Sequence, residues 1–402
     1  MKNNIFHTQD LCFAQTCDAL ESSAEMEIYM KVVIAIDSFK GSMTSMEAGN
    51  AAKKGILAAK PDAEVCLSPL ADGGEGTVDA LIEGLGAKKI PVTVTGPLGE
   101  KVSCYYGFLE ETKSAVMEMA SAAGITLVTK KDPLRASTYG VGEMIADALK
   151  RGCKNFIIGI GGSATNDGGI GMLKALGFEF FDEDGNDVGE GAAALAKITE
   201  IRTENKNQLL SGAKFQIACD VKNPLCGKQG ATYIFGSQKG VTEEQKDQID
   251  EAMRHYADVT KESLGCDFAD CEGAGAAGGL GYAFLSYLAG ELIPGVELIL
   301  QATGLEEKMK NADVVVTGEG RLDAQTVMGK APAGVAALAK KYNAKVIAFA
   351  GSVASEAKVC NRAGIDAFFP IVRGVTTLEE AMKKENAMEN IAATAEQVFR
   401  LL

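Results

Sequence analysis

Val32-Val33-Ile34-Ala35-Ile36 is an unbroken apolar run that stops at Asp37. A strand of this kind needs cover on both faces, which is the condition of a parallel sheet packed between helices. A capping box follows, Thr44 with Glu47 three residues on, and Ala48, Ala51, Ala52, Gly55, Ile56 and Ala59 then recur at helical spacing as far as Pro61. The same alternation returns with a strand at residues 64–70 and a helix at 78–85. It appears again near the C-terminus, with strands at 313–317, 345–350 and 367–372 and helices between and after them. Strands alternating with helices predict an α/β fold built on a parallel sheet.

Between these stretches the pattern changes. Residues 90–95, 102–109 and 114–119 are short strands joined by Gly96-Pro97-Leu98-Gly99 and Glu110-Glu111-Thr112, which predicts an antiparallel meander. A helix carrying Val141, Met144, Ile145, Ala148 and Leu149 follows. Then come a strand at 155–160, a helix at 169–176, strands at 178–181 and 215–219, and a helix from the capping box Thr242/Gln245 to about 264. A chain of 402 residues suits two domains. The expectation is a Rossmann-like parallel-sheet domain made of residues 30–90 and 286–402, with a mixed α/β domain, 91–285, inserted in it. Residues 1–29 have no basic segment leading into an apolar one, so they do not read as a secretory signal. They are expected to be a disordered or spurious N-terminal extension.

Composition narrows the chemistry. The net charge is −14, from 40 Lys and Arg against 54 Asp and Glu, with no basic cluster. Nucleic acid and anionic membrane surfaces are therefore poor partners. No apolar run approaches the roughly 18 residues of a membrane span. Two histidines, His7 and His255, argue against a Ser-His-Asp triad and a His-rich zinc site. Ten cysteines without a CxxC pair read as reduced thiols of a cytoplasmic protein. Catalysis then falls to carboxylates, lysine, arginine and backbone amides, acting on a small molecule, with a homodimer left open.

In open α/β sheets ligands bind beyond the carboxyl ends of the strands. Five predicted strand ends carry polar or glycine-rich loops: Asp37 to Ser42, Asp72 to Thr77, Gly161 to Gly169, Asp220 to Pro224, and Gly318 to Thr326. Glycines let backbone N–H groups approach an anion, and a following helix N-terminus favours negative charge, so phosphate fits. The many carboxylates in the same loops would repel it unless Mg²⁺ intervenes, since this ion takes carboxylate and phosphate oxygens together. Lys40, Arg135, Arg321 and Lys330 are the cations available to offset charge. The P-loop pattern is absent. The dinucleotide pattern is nearly present in Gly159-Ile160-Gly161-Gly162-Ser163-Ala164, with Asp182 about 20 residues on. This keeps an NAD-dependent oxidoreductase acting on a small hydroxy acid as the alternative. A non-catalytic sensor of a nucleotide or sugar acid is weaker still.

Ile36-Asp37-Ser38-Phe39-Lys40-Gly41-Ser42, Ala71-Asp72-Gly73-Gly74-Glu75-Gly76-Thr77, the 161–169 loop, Cys219-Asp220-Val221-Lys222-Asn223-Pro224-Leu225 and Thr317-Gly318-Glu319-Gly320-Arg321-Leu322-Asp323 together resemble the bacterial glycerate kinase family. The resemblance runs from Met30 to the C-terminus. It implies ATP-dependent phosphorylation of D-glycerate between two α/β domains, giving 2-phosphoglycerate, with 3-phosphoglycerate the runner-up. Individual roles rest on residue chemistry. Asp167 is the first choice of base and Asp37 the second, Lys40 and Arg321 offset phosphoryl charge, and Glu319 and Asp323 hold Mg²⁺. Arg135 or Lys40 holds the glycerate carboxylate. Ser42, Asp72, Gly73, Gly74, Glu75, Gly76, Gly161, Gly162, Ser163, Asn166, Asp220, Asn223 and Lys330 complete the expected substrate and phosphate contacts.

Overall fold

One strand buried on both faces organises the first sheet. In a computed structural model, which describes residues 29–71 and 77–402, Lys31–Ile36 forms strand β1. Val32, Ile34 and Ile36 point to one face and pack with Val316, Phe349, Ile56 and Ile391. Val33 and Ala35 point to the other and pack with Val315, Val346, Val335 and Leu305. Each fully buried Val or Ile contributes about 1.5–3 kcal/mol, so a strand with two buried faces is strongly held at the centre of a layered fold. The expectations for residues 1–28, and for Asp72, Gly73, Gly74, Glu75 and Gly76, lie outside the described residues.

The other strands are β2 (Glu64–Leu67), β3 (Lys88–Thr95), β4 (Lys101–Leu109), β5 (Ser114–Glu118), β6 (Asn155–Gly159), β7 (Glu179–Phe181), β8 (Glu200–Arg202), β9 (Lys214–Ala218), β10 (Glu291–Ile293), β11 (Val314–Leu322), β12 (Lys345–Val353) and β13 (Ala367–Pro370). The first sheet has the order β13-β12-β11-β1-β2 and is parallel throughout. The second has the order β10-β9-β6-β5-β4-β3, parallel from β10 to β5 and antiparallel from β5 to β3. The fold is thus α/β with two domains, one parallel and one mixed. Both expected capping boxes are present, at Thr44 before the helix Ser45–Ala59 and at Thr242 before the helix Glu243–Leu264. The helix Ser45–Ala59 lies so close to Lys384–Phe399 that a Cβ on Gly55 would meet the Ala392 carbonyl oxygen at 1.9 Å.

Four details differ from the sequence reading. The helix Thr77–Leu85 packs on the second sheet, because Val78 and Leu81 are buried against Val116 and Ile299. β3 begins at Lys88 and β10 is Glu291–Ile293, so the second sheet reaches past residues 91 and 285 on both sides. β7 does not join the second sheet but pairs antiparallel with β8. β11 runs on through Gly318-Glu319-Gly320-Arg321, which reads as a turn in sequence. It stays extended because its pairing with β12 continues to Leu322↔Val353. Gly318 fits there because a Cβ would meet the Phe349 carbonyl oxygen at 2.2 Å.

Candidate active site

The chain leaves β1 at Asp37, whose N–H donates to the Gly318 carbonyl at 2.9 Å and whose Oδ1 accepts from the Ser38 N–H at 2.7 Å. A tight turn follows. Phe39 N–H donates to the Met43 carbonyl, and the Ser42 and Met43 N–H groups donate back to Phe39. Gly41 sits at the tip with φ +78°, a conformation that costs an L-residue with a side chain about 1–2 kcal/mol. Phe39 and Met43 are buried, so they anchor the turn and leave Lys40 exposed at its tip. Ser45 fixes the next helix by donating to the Ile36 carbonyl at 2.6 Å while accepting from the Leu70 N–H.

Glu319 stands beside this turn on β11. It is 8% exposed, and Asp37 is 6% exposed. Glu319 Oε1 accepts from the Thr326 hydroxyl at 2.6 Å, and Lys330 Nζ lies 3.4 Å from Oε2. Burial pushes the Glu319 carboxyl above its ordinary range, against the Thr326 hydrogen bond and the Lys330 charge. Arg321, two residues on, shares Glu319's face of the strand. Asp37, Lys40, Ser42, Glu319, Arg321 and Lys330 all line one cavity of about 400 Å³ at the carboxyl edge of the first sheet. Ser42 Oγ is buried there without a hydrogen-bond partner among the described residues.

Asp323 is not on the cavity wall. Its Oδ1 accepts from the Gln325 N–H at 2.9 Å, its Oδ2 is 3.6 Å from Arg321 Nε, and its own N–H donates to the Thr326 hydroxyl. It holds the turn after β11, and through Thr326 it holds Glu319.

Asp167 is placed differently again. It is fully buried in the second domain. Oδ2 accepts from the Thr138 N–H and hydroxyl, both at 2.8 Å, and from the Gly171 N–H at 3.3 Å; Oδ1 accepts from the Gly169 N–H at 3.1 Å. The carboxylate therefore joins the start of the helix Tyr139–Lys150 to that of Ile170–Ala175. Burial pushes its carboxyl up, opposed by the Thr138 and Gly169 donors. Lys239, equally enclosed, donates to the Thr165 carbonyl at 2.7 Å; burial pushes its ammonium down to about 7, with the Asp167 charge working against that. Asn166 donates to the Thr232 hydroxyl at 3.0 Å, and its Oδ1 has no partner among the described residues.

The remaining expected residues are spread over the second sheet's carboxyl edge and its surroundings. Gly161 and Gly162 are exposed after β6, with Ser163 buried beside them and bridged to Gly124. Asp220, after β9, accepts from the Gly295 N–H at 2.8 Å and so caps the helix Gly295–Ala302 that leads back towards the first sheet. Asn223 donates to the Gln229 carbonyl. Arg135 is exposed and lines none of the cavities described. Glu118, at the end of β5, was missed by the sequence reading. It accepts from the Val78 N–H at 3.2 Å and ties the second sheet's carboxyl edge to the helix Thr77–Leu85. Its position at a strand end was the available signal. The dinucleotide fingerprint fails on topology. Asp182 follows β7, outside the main sheet, and its Oδ1 closes a turn with the Asp184 and Asn186 N–H groups.

The described cysteines are all free, and no group of three or more His, Cys, Asp or Glu able to hold a metal occurs among the described residues. No helix among them is long and apolar enough to cross a membrane.

Comparison with known proteins gives a consistent result. The family model described as "Glycerate kinase family" matches residues 32–402. The glycerate kinase of Bacillus subtilis (strain 168) is 45% identical over 371 residues, covering 92% of this chain and 97% of its own. The glycerate 2-kinase of Escherichia coli (strain K12) is 45% identical over 372 residues, covering 91% and 98%. A crystal structure from Salmonella typhimurium LT2 bearing the name glycerate kinase 2 matches with a TM-score of 0.85 at 43% identity, covering 92% of this chain and 97% of that one.

Proposed function

The chain belongs to the glycerate kinase family and is therefore a kinase with a nucleotide cosubstrate, and from that premise we propose that it transfers the γ-phosphoryl group of ATP to D-glycerate. The observation that carries this reading is the convergence of Asp37, Lys40, Ser42, Glu319, Arg321 and Lys330 on one cavity. The product proposed is 2-phosphoglycerate, in keeping with the name of the Escherichia coli relative; phosphorylation at the 3-position is the runner-up. The division of the chain proposed with it is a parallel-sheet domain interrupted by a second domain spanning the strands from Lys88 to Ile293. The reaction is assigned to the space between their carboxyl edges.

Phosphoryl transfer asks the protein for position and charge more than for covalent chemistry. Lys40, Arg321 and Lys330 offset charge on the phosphoryl oxygens, and the unpartnered Ser42 hydroxyl donates to one of them. Asp37 takes the proton of the glycerate hydroxyl. Asp167 is not proposed for this role, because both its oxygens already hold buried donors. The cavity's hard oxygen donors fit Mg²⁺, which needs only one or two protein carboxylates beside water and phosphate. Glu319 is the residue that would hold it. When bound, Mg²⁺ neutralises charge on the nucleotide's phosphates. An exposed Arg135 or Lys40 remains the choice for the glycerate carboxylate. The oxidoreductase alternative has no support from the relatives. ADP release should require D-glycerate, ATP and Mg²⁺ together; oxidation of NADH with a keto acid, and no ADP, would reverse the assignment.

A further inference from the structure

The cavity has two unlike ends. One is ionic, with Asp37, Lys40, Glu319 and Lys330. The other lies past the carboxyl end of β13. There Ile371, Val372, Leu378 and Ala381 form apolar walls, while Met382 reaches back to Gly41 in the turn that carries Lys40. Among the described residues the amide on this side is Asn390, which shares a face of the helix Lys384–Phe399 with the buried Ala387. Asn390 is half-buried, and its side chain has no hydrogen-bond partner among the described residues.

Glycerate carries an oxygen on every carbon and gains nothing from an apolar wall. A nucleotide is polar at its phosphates and flat and apolar at its base, which matches the two ends. An Asn amide presents one donor and one acceptor side by side. That is the pattern complementary to an adenine edge, which offers the N6 amino group as donor beside a ring nitrogen as acceptor. Guanine presents a carbonyl oxygen and an N–H where adenine has these.

We propose that the apolar end of this cavity is the base subsite for ATP and that the Asn390 amide reads the adenine edge. The assignment rests on the kinase reading above and adds where the nucleotide lies and what selects it. The triphosphate then runs from the β13 end towards Lys40 and Lys330. Glycerate is left to the mouth of the ionic end, facing the second sheet.

The test is calorimetric titration of ATP and GTP into wild type, Asn390→Asp and Ala381→Phe without glycerate, followed by steady-state kinetics. Asn390→Asp replaces the donor by an acceptor. ATP affinity should fall about tenfold, and the ATP-to-GTP preference should fall by at least as much, with the KM for glycerate unchanged. Ala381→Phe fills the apolar end and should weaken both nucleotides alike. Circular dichroism melts establish that each variant is folded. If both folded variants bind ATP as wild type does, the subsite is wrong while the kinase reading stands. If wild type binds ATP in an Asn390-dependent way but makes no ADP with glycerate, the glycerate reading is wrong and the subsite stands. A wild type that binds no ATP overturns both.

Discussion

Replacing Asp167 by Asn separates a structural joint from a catalytic base. The carboxylate accepts four hydrogen bonds, from the Thr138 N–H and hydroxyl, the Gly171 N–H and the Gly169 N–H. An amide has one acceptor oxygen. If that oxygen keeps the Thr138 and Gly171 donors, the NH₂ faces the Gly169 N–H, leaving two buried donors unmet. At about 1–3 kcal/mol for each unsatisfied group, the cost is about 2–6 kcal/mol. Lys239 loses its charged neighbour at the same time. For a cooperative unit of 150–250 residues each kcal/mol moves the midpoint by about 2–4 °C, so Asp167→Asn should melt on the order of 10 °C below wild type. Activity per folded molecule, measured well below that midpoint, should stay within a few-fold of wild type. Scanning calorimetry and initial rates on one preparation read both quantities. A variant that melts with wild type but loses about 100-fold or more in kcat would show that Asp167 is the base after all, since that is the scale of general base catalysis.

Three further outcomes follow from the same geometry. Asp323→Asn should leave kcat, the Mg²⁺ requirement and the melting midpoint nearly unchanged, because Asn holds such a turn about as well as Asp; a rise in the Mg²⁺ requirement would return Asp323 to the metal. Glu319→Gln should lower kcat at least tenfold and raise the Mg²⁺ concentration for half-maximal rate, with the fold intact, and a wild-type Mg²⁺ titration would remove it from that role. Lys239 has a folded-state value of about 7 against an ordinary 10.5, so the unfolded chain binds the extra proton between these limits. Wild-type stability should therefore gain a rising contribution from about pH 7 to 10.5 that Lys239→Met lacks; parallel urea-stability profiles across that range would contradict the assignment.

The features legible in the sequence are those written in local pattern. β1 shows itself because two buried faces demand an unbroken apolar run, and the two capping boxes mark helix starts that need no tertiary context. Asp37 and Glu319 stand out in the sequence as candidates because the carboxyl edge of a parallel sheet is where loops meet ligands. What the sequence hides depends on partners far along the chain. The segment Gly318-Glu319-Gly320-Arg321 reads as a turn, and its pairing with distant strands, with β12 throughout and with β1 at Gly318, keeps it extended. The helix Thr77–Leu85 is apolar in a way either sheet would accept, and its neighbours Val116 and Ile299 decide which. Asp167 sits in a glycine-rich loop like a site residue, and nothing local reveals that Thr138 occupies its Oδ2. Asn390 carries no local motif, and only the folded chain sets it in one cavity with Ile371 and Val372, past the end of β13.

The central claim is that this chain moves phosphorus from ATP onto a hydroxyl of glycerate. Proton-coupled ³¹P NMR of purified protein with ATP, Mg²⁺ and D-glycerate tests it in one tube. The γ signal of ATP should decay as a new phosphomonoester appears, split into a doublet by the lone proton on carbon 2. A triplet from the two protons on carbon 3 would move the product to 3-phosphoglycerate. Decay of ATP to inorganic phosphate alone, or no change in the spectrum, would contradict the account.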